Sequence, residues 1–243
     1  MAQSLGWGIL ASSSLLLGGL VVMWRPIGPR PLGLIMAFGS GVLISAVAFE
    51  LVQEAFDTSS QQGGVALGLL AGSATFFAGD WLIDRSGGSG RKGSGGGQAG
   101  ASGPAIVLGI VLDGIPESFV LGLTVLQQGQ VSAAFLVAVF LSNLPESVAA
   151  TSGLLRSGWR RGRVLGLWLL VMAVSGLSAL AGYALLDTAS PTAIAFVLSF
   201  AGGAILTMLA DTMMPEAFEQ EGRLVGIFTT IGFAVAFAIS ALE

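Results

Sequence analysis

Residues 105–155 read AIVLGIVLDGIPESFVLGLTVLQQGQVSAAFLVAVFLSNLPESVAATSGLL. Two apolar runs, 105–126 and 131–155, flank a polar QQGQ turn. Each run is long enough to cross a hydrocarbon core of roughly 30 Å as a helix. The stretch therefore reads as an antiparallel pair of membrane helices, and it sets the fold class. Each helix is interrupted near its middle by Pro-Glu, at Pro116–Glu117 and Pro145–Glu146, 29 residues apart. Leu or Val would cost nothing there, so both interruptions need a reason.

The same hydropathy recurs on either side. Further apolar runs lie at roughly 5–24, 32–56, 64–84, 163–187, 191–218 and 223–242, which gives eight spans in a single transmembrane domain, 1–243. The first run follows no positive n-region, so it reads as a membrane helix rather than a secretory signal. RPIGPRP, DTSSQQGG, RSGWRRGR and DTASP supply the breaks. The Gly/Ser-rich stretch 86–103 has no apolar anchor and reads as a flexible loop between spans 3 and 4.

Composition agrees. The chain is 53% hydrophobic and 10% charged, against about 25% charged in soluble domains, and its mean hydropathy is +0.85. It contains no Cys and no His. Disulfides, thiolate and imidazole metal ligands and His-based triads are thereby excluded. No basic stripe or recognition motif points to nucleic acid.

All ten Lys and Arg residues fall on one side of an eight-span arrangement. Arg25 and Arg30 lie in loop 1–2, Arg85, Arg91 and Lys92 in loop 3–4, Arg156, Arg160, Arg161 and Arg163 in loop 5–6, and Arg223 in loop 7–8. The positive-inside rule makes this side cytoplasmic and both termini extracytoplasmic, in a multi-pass protein of the cell (inner or cytoplasmic) membrane. Gly64, Gly68 and Gly72 recur every fourth residue, a spacing that lets helix backbones approach closely.

Ionised carboxylates at mid-membrane cost about 2.5–3.5 kcal/mol or more and usually mark ion or proton pathways. At 1.5 Å per residue, Asp113, Glu117 and Glu146 lie about 12, 18 and 14 Å from the cytoplasmic ends of spans 4 and 5. They fit one shared site. Pro116 and Pro145 cannot donate to the carbonyls of Leu112 and Leu141, so each helix is expected to kink beside its carboxylate and to free an oxygen. With Ser142 and Asn143 these groups form an oxygen-rich pocket suited to a hard divalent cation. Glu50, Glu54 and Asp57 extend the line toward the outer face. Asp80, Asp84, Asp211 and Glu216 extend it toward the inner face.

These residues resemble the Zrt-, Irt-like (ZIP) family of divalent-metal transporters over nearly the whole chain. That family has eight spans, both termini outside, a variable loop between spans 3 and 4, and HNxPEG-type motifs in spans 4 and 5 that form a binuclear metal site. LDGIPES and LSNLPES correspond to those motifs, FGSGVLISAVAFELVQEA resembles span 2, AGGAILTMLADTMMPEA span 7 and SGLSALAG span 6. The resemblance implies that Glu117 and Glu146 stand where the family's bridging carboxylates stand. Asp113 takes the place of the span 4 histidine and Gly114 that of its asparagine. Ser142 and Asn143 take the first two polar positions of the span 5 motif. Glu50 stands for a span 2 histidine and Ala179 for a span 6 glutamate. One metal position is then complete, and the second loses Gly114 and Ala179 as ligands. The resemblance also implies a homodimer.

The expected function is transport of a divalent cation (Zn, Mn, Fe, Cd or Mg) by alternating access, with the cation as substrate and no resident cofactor. Other expectations compete with it. One is that the acids serve a proton-linked carrier or an exporter of another solute; another is a metal sensor or scaffold without transport. FAGD (77–80) is a partial match to the Gly-x-Gly-Asp signature of intramembrane aspartyl proteases. It lacks the first glycine, so no enzyme is expected.

Overall fold

The computed structural model describes residues 1–25, 27–59, 62–88 and 103–242. Among these residues the regular structure is helical throughout. The helices are α1 (Ala2–Trp24), α2 (Pro29–Thr58), α3 (Gln62–Ile83), α4 (Gly103–Gln128), α5 (Ala133–Arg156), α6 (Arg161–Leu186), α7 (Pro191–Gln220) and α8 (Val225–Ser240). Seven of them are long and apolar enough to cross a membrane. The eighth has 16 residues, about 24 Å, and is shorter than the run 223–242 suggested. The turn at Gly222 (φ 78°) uses up its start. The chain is an all-helical, multi-pass membrane protein.

Local chemistry sets the boundaries. Pro29 and Pro191 open α2 and α7, where a missing N–H costs nothing. Ser132 caps α5, its Oγ accepting from the Phe135 N–H at 3.1 Å. Gly129 (φ 72°) and Gly158 (φ 84°) reverse the chain after α4 and α5. α4 and α5 run as continuous helices through Pro116 and Pro145. Most of the Gly/Ser-rich loop, 89–102, with Arg91 and Lys92, lies outside the described residues.

Two helix pairs repeat one another. The closest partner of α2 is α8, and that of α7 is α3. Gly41 of α2 lies against the Thr229 backbone of α8, and Gly232 of α8 against that of Phe38. In the other pair Gly203 of α7 lies against Leu69 of α3, and Gly72 of α3 against Phe200. The spacing is constant: Phe38 to Phe200 and Gly41 to Gly203 are 162 residues, and Leu69 to Thr229 and Gly72 to Gly232 are 160. The start of α2 meets the end of α7 (Gly33 against Gln220), while Gly202 meets Val47 and Val52. The repeat is therefore inverted. Of the glycine stripe in α3, Gly68 packs against Ser199 and Gly72 against Phe200, whereas Gly64 faces open space.

The remaining helices pack as a second group. α1 contacts α5 and α6, and α4 contacts α6. Trp168 of α6 is fully buried and donates its Nε1–H to Thr151 Oγ1 of α5 at 2.9 Å. Ser178 of α6 donates to the Ile115 carbonyl of α4 at 3.0 Å, one residue before Pro116. These bonds satisfy polar groups where water is excluded. The alternation of helices puts Arg25, Arg30, Arg85, Arg156, Arg160, Arg161, Arg163 and Arg223 at one end of the bundle.

Candidate functional site

Asp113 and Glu117 are four residues apart on α4, hence on one face. Glu117 is only 2% exposed. Its Oε1 is buried and, among the described residues, meets no hydrogen-bond donor. Asp113 is half-buried beside it, and its charge acts on Glu117. Glu146 is half-buried on α5. The charges of Glu117, Asp113 and Glu216 all act on it. Glu146 lies ten residues before the end of α5, about 15 Å, close to the middle of the core. The expected trio is thus gathered in one region, and α7 adds Glu216, which is buried.

Neutral oxygens complete the surroundings. Ser142 and Asn143 are buried on α5. Ser142 Oγ donates to the Val139 carbonyl at 3.0 Å, which leaves its lone pairs available. Gly39 of α2 lies against the Ser142 backbone and the Met213 side chain of α7, so α2, α5 and α7 meet here. Ser175 of α6 is buried, with its Oγ 3.9 Å from the place a Cβ on Gly114 would occupy. Thr212 Oγ1 on α7 is also buried and finds no partner among the described residues. Ser175 and Thr212 were not expected from sequence, because a serine or threonine in a membrane helix usually bonds back to its own backbone.

Among the described residues no group of three or more Asp or Glu side chains is drawn together so as to hold a metal ion. Asp113, Glu117 and Glu146 interact electrostatically without closing on one point.

The π-helical segments of α2 and α7 carry the flanking acids. They are Val47–Gln53 and Leu209–Met213, and Val47 and Leu209 are themselves 162 residues apart. Such segments appear frequently at functional sites. In α2, Glu50 accepts from Ser132 Oγ at 2.8 Å and from Ser240 Oγ at 2.7 Å. Glu54 accepts from Gln127 Nε2 and Thr58 Oγ1, both at 3.3 Å. These acids and Asp57 line an open cavity of about 370 Å3. Glu50 thereby ties α2 to the start of α5 and the end of α8. Replacing Glu50 by Ala removes both bonds. Amide exchange around Ser132 is expected to quicken about tenfold, the loss of one charge-assisted bond of about 1.5 kcal/mol. Unchanged exchange there would mean that the tie carries no load.

The inner acids divide. Asp80 is buried near the end of α3. Asp211 is exposed in a groove of about 830 Å3 between α3 and α7, with Leu69, Phe77 and the Thr207–Ser73 hydrogen bond (2.8 Å). Glu216, by contrast, is buried.

Compared with known proteins, the chain matches no family model and no curated sequence.

Proposed function

We propose that the chain carries a divalent cation across the membrane, from outside to the cytoplasm, with Asp113, Glu117 and Glu146 as its principal ligands and Asn143 and Ser142 in support. The observation that carries this reading is the buried Glu117 carboxylate, with one oxygen that meets no donor among the described residues and with Asp113, Glu146 and Glu216 nearby. No Lys or Arg lies between 93 and 155. A buried carboxylate oxygen that meets no donor, as at Glu117, calls for a cation. The resemblance of the two Pro-Glu motifs to the ZIP family points the same way, and the inverted helix repeat is a common plan for secondary transporters. On this reading the arginine end faces the cytoplasm, both termini face outward, and Glu50 and Glu54 form an entry vestibule. Pro116 and Pro145 let α4 and α5 bend as the site changes its exposure, and Glu216 and Asp80 lie on the exit side.

The donors are all oxygen, a set that suits harder ions such as Mn2+ and Mg2+ better than an imidazole site would. A binding and uptake screen across Zn2+, Mn2+, Fe2+, Cd2+ and Mg2+ tests this. Asp113→His is expected to raise the Zn2+ over Mn2+ preference by about tenfold; an unchanged ratio would remove Asp113 from the ligand shell.

Among the described residues no three acids close on one point, which favours a second reading, in which the same carboxylates carry protons in a proton-linked carrier of another solute. Saturable binding of a divalent cation by the purified protein separates the two.

A further inference from the structure

We propose that the groove between the last turns of α1 and the first turn of α6 is a binding site for an anionic phospholipid of the surrounding leaflet. The groove has a volume of about 500 Å3 and is lined by Leu17, Leu20, Val21, Trp24, Leu165 and Arg161. Its apolar wall faces outward: Leu17, Leu20 and Val21 are each nearly half exposed, and Trp24 is 94% exposed. On α6, Gly162 and Gly166 leave open space, since a Cβ on either would meet nothing within 4 Å. The wall from Leu17 to Trp24 spans about 10 Å along the helix, room for the upper part of an acyl chain.

The charge at its mouth is one-sided. Segments 1–49 and 147–186 contain six arginines (Arg25, Arg30, Arg156, Arg160, Arg161, Arg163) and no Asp or Glu. Two of the six are engaged locally. Arg163 lies over the Trp159 ring at 4.0 Å, and Arg156 Nε donates to the Ser152 carbonyl at 3.2 Å. Arg161 is exposed in the groove itself, and Arg25 is exposed beside Trp24. A guanidinium binds a phosphate diester through paired N–H bonds. An exposed Trp is at home at headgroup level, and basic pockets between membrane helices hold anionic headgroups. An apolar partner helix would leave Arg161 unanswered. A soluble phosphate would leave the leucine wall unanswered. A phospholipid answers both.

The test uses the full chain, equilibrated in detergent with equal amounts of phosphatidylglycerol and phosphatidylcholine, with retained lipid read by native mass spectrometry. Wild type is expected to retain phosphatidylglycerol in preference to phosphatidylcholine. Arg25→Gln with Arg161→Gln is expected to lower that retention about thirtyfold, the effect of two interfacial arginines. Arg85→Gln with Arg223→Gln should leave it unchanged. Leu20→Trp fills the trench without altering charge and should lower retention too. Equal retention of both lipids by wild type would overturn the proposal. So would equal phosphatidylglycerol retention by the two double variants, displacement of the lipid by inorganic phosphate, or a dimer that retains no lipid.

Discussion

Gly41→Ala and Gly203→Ala are each expected to lower the melting temperature of the purified protein by about 5–10 °C. At both positions a Cβ would enter a neighbouring backbone, that of Thr229 in one case and of Leu69 in the other. A backbone cannot rotate away as a side chain does, so each helix pair must separate. Overpacking of this kind costs about 1–3 kcal/mol, and each kcal/mol moves the melting point of a chain this size by about 2–4 °C. Gly64→Ala and Gly166→Ala provide the contrast, because nothing lies within 4 Å of either Cβ position. Helix propensity favours those two changes by up to about 1 kcal/mol. The two pairs of variants should therefore shift stability in opposite directions. A common direction for all four would show that α2–α8 and α3–α7 do not pack as described.

Glu117→Gln with Glu146→Gln is expected to abolish the stabilisation that a bound cation gives, without weakening the cation-free protein. A ligand at one hundred times its dissociation constant stabilises the folded state by about 2.7 kcal/mol, or roughly 5–10 °C here. The double variant removes two carboxylates from a region in which Asp113, Glu117, Glu146 and Glu216 act on one another. Mutual repulsion falls, so the melting point without cation should hold or rise. Loss of cation response with unimpaired folding is the signature of a ligand. A lower melting point in both conditions would assign the two glutamates to structure instead.

Much of this architecture is legible in the sequence because lipid imposes a blunt rule. Every span needs about twenty apolar residues, and the arginines mark the ends. The depth of Asp113, Glu117 and Glu146 follows from counting along two helices. The inverted repeat is harder to see. Across the thirty aligned positions of α2 and α7 the halves share only Pro29/Pro191, Phe38/Phe200, Gly41/Gly203, Ala48/Ala210 and the Glu-Ala-Phe of 54–56 and 216–218. Only the points where backbones touch are constrained, and lipid-facing residues drift freely between apolar types. The partners of Glu50 are illegible for another reason, since Ser132 and Ser240 lie 82 and 190 residues away. The π-helical segments at Val47–Gln53 and Leu209–Met213 have no residue signature of their own.

The most direct measurement is uptake of labelled Mn2+ into sealed proteoliposomes holding the wild-type chain, beside vesicles holding the Glu117→Gln, Glu146→Gln variant. Saturable accumulation by wild type, with the variant at the level of protein-free vesicles, is the expected result. Accumulation that persists undiminished in the variant, or wild-type vesicles no better than protein-free ones for Mn2+ and for each of the other four cations, would contradict a carboxylate-lined cation pathway.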